Sequence, residues 1–153
     1  MRAVLLIALV ACKDKPKPPP TPPPERPEPA RGLGDQLRYE AEHRPGGPLA
    51  VEAVLAKLAT AGAAVDPIKQ YLGKTARARY CAGGHTREGL GIAVCEYESE
   101  EAARTGRDHV TTAFPNVPGR KIELRGALSL TTTATDAEDE ALRAKVEESF
   151  RAM

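Results

Sequence analysis

Two cysteines and one histidine are the side chains of this chain best suited to chemistry. Cys81, His85 and Cys95 lie within one segment of 15 residues. Two thiolates and an imidazole suit a zinc or copper ion. A structural zinc site uses four ligands, however, and this segment offers three. The alternative is that the two thiols oxidise to a disulfide, which leaves His85 as a speculative ligand without a metal.

The segment that contains these cysteines is typical of a β-hairpin. Residues 76–82 and 90–97 are strand-like, and turn residues separate them. Cys81 and Cys95 each lie 7 residues from Glu88, so a hairpin centred there places them opposite one another. Directly opposed residues at a non-hydrogen-bonded site have Cα atoms about 4.5 Å apart, which is at the short end of what a disulfide accepts. We therefore predict a Cys81–Cys95 disulfide.

The rest of the chain contains no recognisable catalytic motif. It has no phosphate-binding loop, no nucleophile elbow, and no C-x-x-C or H-E-x-x-H motif. His43 precedes a Pro-Gly-Gly stretch, and His109 falls late in a predicted helix, where its ring suits the negative end of the dipole. The acidic residues within 136–140 suit the first turn of a helix rather than a calcium site. We predict no catalytic residue, no cofactor and no enzymatic activity.

The N-terminal part of the sequence is an apolar run that follows a positive charge. After Met1 and Arg2, residues 3–11 are all apolar. Nine helical residues rise about 13 Å, whereas the bilayer core is about 30 Å thick. The run is therefore too short to span a membrane and is typical of the apolar region of a secretory signal.

This run ends in Leu9-Val10-Ala11-Cys12, which resembles the lipobox of bacterial lipoproteins. The resemblance implies a signal peptide over 1–11, transfer of diacylglycerol to the Cys12 thiol and cleavage before Cys12. It also implies acylation of the new amino group, so membrane lipid becomes a partner. Several acyl chains on one residue give stable anchoring, which one chain alone does not. In enterobacterial-type sorting an Asp after the lipidated cysteine retains the protein in the inner membrane. The presence of Lys13 therefore favours the outer membrane.

Residues 12–30 join this cysteine to the rest of the chain. Nine prolines fall between Lys13 and Ala30. Proline lacks an N–H and fixes φ, so the segment cannot join a helix or a central strand. In polyproline II form it would reach roughly 55 Å at about 3.1 Å per residue. We expect a disordered, semi-rigid tether rather than a PxxP docking ligand.

Residues 31–153 are long enough for a single domain with one core. Their charges are nearly balanced, with 17 Lys and Arg against 18 Asp and Glu. No basic face stands out, so nucleic-acid binding is not predicted.

Apolar periodicity and turn residues predict an α+β domain. We expect one mainly antiparallel, four-stranded sheet with helices on one face. The predicted elements are a helix over Pro48–Ala61, a short helix after Asp66 and Pro67, the first hairpin, a helix from Ser99, a second hairpin about Gly126, and a last helix with a Thr135–Glu138 capping box.

Two functions follow from these features. The first is a membrane-anchored bacterial lipoprotein of the cell envelope, whose non-catalytic domain binds an unidentified ligand or envelope protein or assists assembly. The alternative is a metal-handling or redox lipoprotein that uses Cys81, His85 and Cys95.

Overall fold

The computed structural model describes residues 32–153, which form an α+β structure. The predicted signal peptide, the lipidation site Cys12 and the tether lie outside the described residues. In the described part of the chain, no helix is both long and apolar enough to cross a membrane. The elements within 32–153 are α1 (Leu33–Glu42), α2 (Val51–Thr60), β1 (Lys69–Tyr71), a 3-10 turn (Gly73–Ala76), β2 (Tyr80–His85), β3 (Gly91–Glu96), α3 (Glu100–Ala113), β4 (Arg120–Arg125), β5 (Leu128–Thr133) and α4 (Ala137–Arg151).

The strands form one antiparallel sheet in the order β1-β2-β3-β5-β4. The sheet over residues 32–153 therefore has five strands, and the prediction of four is wrong. The additional strand is β1, which pairs with residues 81–83 of β2. It lies where a short helix was predicted after Asp66 and Pro67. A strand of 3 residues is too short to show an alternating pattern of its own, so its pairing with β2 determines it.

Helices cover both faces of the sheet, so the prediction of helices on one face is also wrong. On one face, α2 and α4 pack against Val94, Leu130 and their neighbours. On the other face, Ala103 of α3 packs against Cys95 and Tyr97. The domain therefore has three layers, and the disulfide lies in the smaller core beneath α3.

The register of the β4–β5 hairpin explains why both faces are apolar. Leu124 pairs with Ser129, and Arg125 pairs with Leu128. Because paired residues share a face, Leu124 and Leu128 point to opposite faces. Leu124 accordingly joins the core beneath α3, whereas Leu128 joins the core beneath α2 and α4. A sheet with apolar side chains on both faces requires a covering layer on each.

The larger core is built from two helices whose apolar stripes the sequence predicts. The helix predicted over 48–61 is α2, and the predicted last helix is α4. Phe150 is the largest of the fully buried side chains. The buried apolar residues that these two helices contribute are Val51, Val54, Leu55, Leu58, Val146 and Phe150.

Side-chain caps fix the first residues of α3 and α4. The sequence predicts a helix that starts at Ser99, and in the structure Ser99 accepts the backbone N–H of Ala102 in the first turn of α3. Asp136 caps α4 by accepting the N–H groups of Glu138 and Asp139. The capping box predicted for Thr135 and Glu138 is therefore wrong by one position. Thr135 instead donates its N–H and its hydroxyl to the carboxylate of Asp139.

The sequence does not predict α1, because the contacts that hold this helix are polar and distant along the chain. Glu40, a buried residue of α1, accepts the N–H of Gly73 at 2.7 Å and that of Lys74 at 3.1 Å. Gln70 donates its side-chain amide to the carbonyl of Leu37 at 2.7 Å. These bonds attach α1 to β1 and to the 3-10 turn, which no local pattern reveals.

Gly106 lies where α3 closely approaches the sheet. A Cβ at this position would lie 2.3 Å from the Tyr97 ring and 2.7 Å from the backbone oxygen of Ala76. We expect Gly106→Ala to lower the free energy of unfolding by about 1–2 kcal/mol, because overpacking outweighs the roughly 1 kcal/mol gain in helix propensity. Urea unfolding monitored by circular dichroism measures this change.

Gly34 in α1 provides the matched control. A Cβ on Gly34 would meet nothing within 4 Å. Gly34→Ala should therefore stabilise the domain by about 0.5–1 kcal/mol through helix propensity alone. Equal changes in the two variants would contradict the close packing of α3 on the sheet.

Candidate functional site

The two cysteines of the candidate site are joined to one another. Cys81 and Cys95 are register partners in the β2–β3 hairpin, as their equal spacing from Glu88 predicts. Their sulfur atoms are 2.04 Å apart and their Cα atoms 4.1 Å apart. Both are buried beneath α3. The disulfide therefore crosslinks the centre of the sheet in a position shielded from solvent.

His85 is exposed at the end of β2. It pairs with Gly91, and its Nε2 atom lies 3.6 Å from the position that a Cβ on Gly91 would take. Both cysteine sulfurs are engaged in the disulfide, so neither is available as a thiolate to complete a site with His85. Within residues 32–153, no three His, Cys, Asp or Glu side chains are grouped to hold a metal ion.

The other two histidines, His43 and His109, lie in or next to helices. His43 follows α1, where its Nδ1 atom lies 2.8 Å from the carbonyl oxygen of Tyr39 and its ring stacks on the Tyr39 ring. His109 is half-buried in the second half of α3. Neither is brought toward Cys81 or Cys95 by a described contact, and we assign no chemistry to either.

A pocket of about 520 Å³ lies at one end of the sheet, where β3 ends and β4 turns into β5. We call it the sheet-end pocket. Its walls are residues 45–49, the end of β3, the β4–β5 turn and Met153 beyond α4. Leu49, Leu128 and Met153 give it an apolar lining, and Arg125 is among the few charged groups that it contains. A mostly apolar cavity with a few polar groups is the usual form of a small-ligand site.

One buried carboxylate holds both ends of the loop that forms a wall of the sheet-end pocket. Before the loop, Arg44 donates to Glu96 through Nε at 3.1 Å and through a terminal nitrogen at 2.5 Å. After the loop, the N–H of Val51 donates to Glu96 at 2.8 Å. Val51 is the first residue of α2, so Glu96 also satisfies a free N–H at the helix start. The pocket wall is therefore fixed to the sheet.

The opposite wall is held by the backbone. The N–H of Tyr97 donates to the carbonyl of Ala127 at 2.9 Å, which ties the β4–β5 turn to the exit of β3. Gly126 in that turn has φ of 54°, a conformation that side chains rarely adopt. Both walls are thus positioned by hydrogen bonds before any ligand arrives.

Arg44 is the centre of a charged cluster beside the pocket. Besides Glu96 it binds Glu52 through two bonds of 2.7 Å, and its guanidinium lies 4.0 Å from the centre of the Tyr80 ring. The hydrogen bonds that Arg44 donates to Glu52 and Glu96 raise the pKa of Arg44, and those that Glu52 accepts lower the pKa of Glu52. Burial raises the pKa of Tyr80, and the charge of Glu52 adds to this effect. Near neutral pH Arg44 and Glu52 are therefore both charged, and Tyr80 is a neutral phenol.

Comparisons with known proteins place this chain in no family. No protein-family model, no curated protein and no solved structure matches it.

Sequence reasoning did not identify Arg44, Glu96 or Arg125. A signal was present for Glu96, because it continues the inward alternation of Ile92 and Val94, and an acid at an inward position needs a cationic partner. No comparable signal marks Arg125. Its place in the pocket depends on the two-residue turn that follows it and on the order of the strands.

Proposed function

We propose that this chain is a lipid-anchored protein of the bacterial cell envelope whose folded domain binds a ligand or partner protein without catalysis. Anchoring would use Cys12, and the tether would hold the domain away from the membrane surface. The presence of Lys13 favours the outer membrane as the site of attachment.

The sheet-end pocket is the observation that carries the binding role. Its walls are fixed by Glu96 on one side and by the Tyr97–Ala127 bond on the other. A cavity that is already formed loses little conformational entropy when a ligand enters, which favours binding. The Cys81–Cys95 disulfide supports the compartment, because disulfides persist mainly outside the cytosol.

Cys12→Ala tests the anchor. The wild-type chain, expressed in a bacterial host, is expected to incorporate radioactive palmitate and to sediment with membranes. Cys12→Ala should incorporate no label and keep the signal peptide, because the thiol that accepts diacylglycerol is absent. Gel migration, labelling and fractionation measure these effects.

Cys95→Ala is the control for the loss of a cysteine as such. Cys95 lies in the folded domain, so this variant should still carry the lipid label. A wild-type chain that is cleaved but carries no lipid would refute the anchor, and recovery mainly in the inner membrane would refute the sorting.

A further inference from the structure

Arg125 lines the sheet-end pocket and has no charged partner within residues 32–153. The neighbouring cations are paired, since Arg44 binds Glu52 and Glu96 and Arg79 binds Glu98. Among the described residues, Arg125 makes no ion pair, and its Nε atom is buried without a hydrogen bond. A buried donor left unsatisfied costs free energy, so a ligand that accepts from this guanidinium would gain affinity.

The strand register places Arg125 on the same face of the sheet as two other residues that line the pocket. Glu96 pairs with Leu128, and Leu128 pairs with Arg125, so the three side chains form one row on the face covered by α2 and α4. In this row Glu96 is occupied by Arg44 and by the N–H of Val51. Arg125 is therefore the end of the row that remains available to a bound group, with Leu128 beside it.

The lining indicates the chemical class of that group. A guanidinium presents parallel N–H donors that match the two oxygens of a carboxylate. Leu49, Leu128 and Met153 offer apolar surface to whatever carries the carboxylate. Glu96 and Glu98 also line the pocket, and a doubly charged phosphate would meet stronger repulsion from them than a single carboxylate.

We propose that the sheet-end pocket binds one carboxylate group carried on an apolar body, with Arg125 as the residue that binds the carboxylate. This inference rests on the binding role proposed above and names its ligand class. The C-terminus of a peptide that ends in an apolar residue and a short free fatty acid share this chemistry.

Met153 provides a spectroscopic reporter inside the pocket. The chain has two methionines, and the other is Met1. The full chain, labelled with 13C at its methionine methyl groups and held in lipid nanodiscs, is titrated with acetyl-Ala-Ala-Leu as the free acid, with the same peptide as its amide, and with 4-methylpentanoate. We expect the free-acid peptide to shift the Met153 signal, with a dissociation constant on the order of 0.1–1 mM. The amide should bind more weakly than the acid, by about tenfold or more, because its uncharged end loses the charge-assisted bonds.

Arg125→Gln should weaken binding of the free acid by about tenfold or more, and Arg125→Lys by less, because Lys keeps the charge without the planar donors. Arg120→Gln is the matched control. Arg120 is the first residue of β4, at the opposite end of that strand from Arg125, and it does not line the pocket. It should bind as the wild type does.

The two free acids separate the possible sources of the carboxylate. Binding of the peptide but not of 4-methylpentanoate identifies a peptide terminus, and the reverse identifies a free acid. The inference is overturned if neither acid shifts the Met153 signal, if the amide binds as tightly as the acid, or if Arg125→Gln binds like the wild type. Failure of the proposed anchor is measured separately, as a wild-type chain without lipid.

Discussion

Glu96→Ala is expected to lower the free energy of unfolding by about 3–5 kcal/mol, whereas Glu52→Ala should lower it by about 1 kcal/mol or less. Both carboxylates bind the guanidinium of Arg44. The side chain of Glu96 is 5% exposed, whereas that of Glu52 is 57% exposed. Loss of Glu96 leaves Arg44 without its buried partner and the N–H of Val51 without an acceptor. Loss of Glu52 removes an exposed partner of Arg44, and water already reaches the guanidinium on that side.

The two variants remove the same functional group from the same guanidinium, and they differ in burial and in the bond from the N–H of Val51, which only Glu96 accepts. Urea unfolding at pH 7 measures both changes. Glu96→Ala should also release the loop at both ends, so the amide signals of Gly46 and Gly47 should sharpen and move toward random-coil values, while Glu52→Ala should leave them in place. Equal losses of stability in the two variants would show that Glu96 does not hold the loop.

Acid should weaken the pairing of Arg44 with Glu52 at a pH below the ordinary carboxyl range. The pKa of Glu52 is lowered in the folded state, so the stability that it contributes is present above its unfolded pKa. That contribution is lost as the pH falls through the lowered folded value. Exposure of Glu52 keeps the contribution small, which agrees with the modest loss expected for Glu52→Ala.

The parts of the fold that the sequence predicts are those set by neighbours along the chain. The hairpin register follows from two strands about one turn, and it places Cys81 opposite Cys95. The apolar stripe of α2 and the start of α3 at Ser99 are likewise local. Even the error at α4 is local, because Thr135 and Asp136 are both good caps and adjacent, and the structure uses Asp136.

The features that escape prediction depend on contacts between distant segments. The carboxylate of Glu40 reaches the 3-10 turn from 33 residues away, and its bond there helps to attach α1 to the segment after β1. The pocket has the same origin, because Glu96 meets Arg44 across 52 residues. A charged residue in a sequence does not reveal its partner, so the strands must be in place before Arg125 is seen to be unpaired among the residues that the structure describes.

In the β4–β5 hairpin, the pairing of even with odd residue numbers determines which face of the sheet each apolar side chain occupies. Ile122 and Leu124 alternate, as do Leu128 and Leu130. A two-residue turn pairs even positions with odd ones, so the apolar residues of the two strands fall on opposite faces. Turn length therefore decides between one helical layer and two, and the sequence alone leaves that length open around Gly126.

Removing the Cys81–Cys95 crosslink is expected to lower the free energy of unfolding by about 3 kcal/mol, the value for closing a loop of about 15 residues in the unfolded chain. The loss is a large share of the 5–15 kcal/mol that is typical of a domain, so the melting temperature should fall markedly. The disulfide lies at the centre of the sheet, where its loss affects the packing of several elements. It joins two central strands beneath α3, in a small core that also contains Tyr97 and Ala103. The variant Cys81→Ala with Cys95→Ala, studied by urea unfolding, gives the size of the effect.

Reduced wild-type protein is the control that separates the crosslink from the cavity left by two missing sulfur atoms. It should lose nearly as much stability as the double variant, and reductant should not change the double variant further. Because both sulfurs are buried, reduction should require partial opening of α3 and accelerate in mild urea. Native mass spectrometry should show a gain of two hydrogens on reduction and no bound metal. Two free thiols in the untreated protein, together with a metal adduct that His85→Ala abolishes, would refute the crosslink and establish the metal-handling alternative.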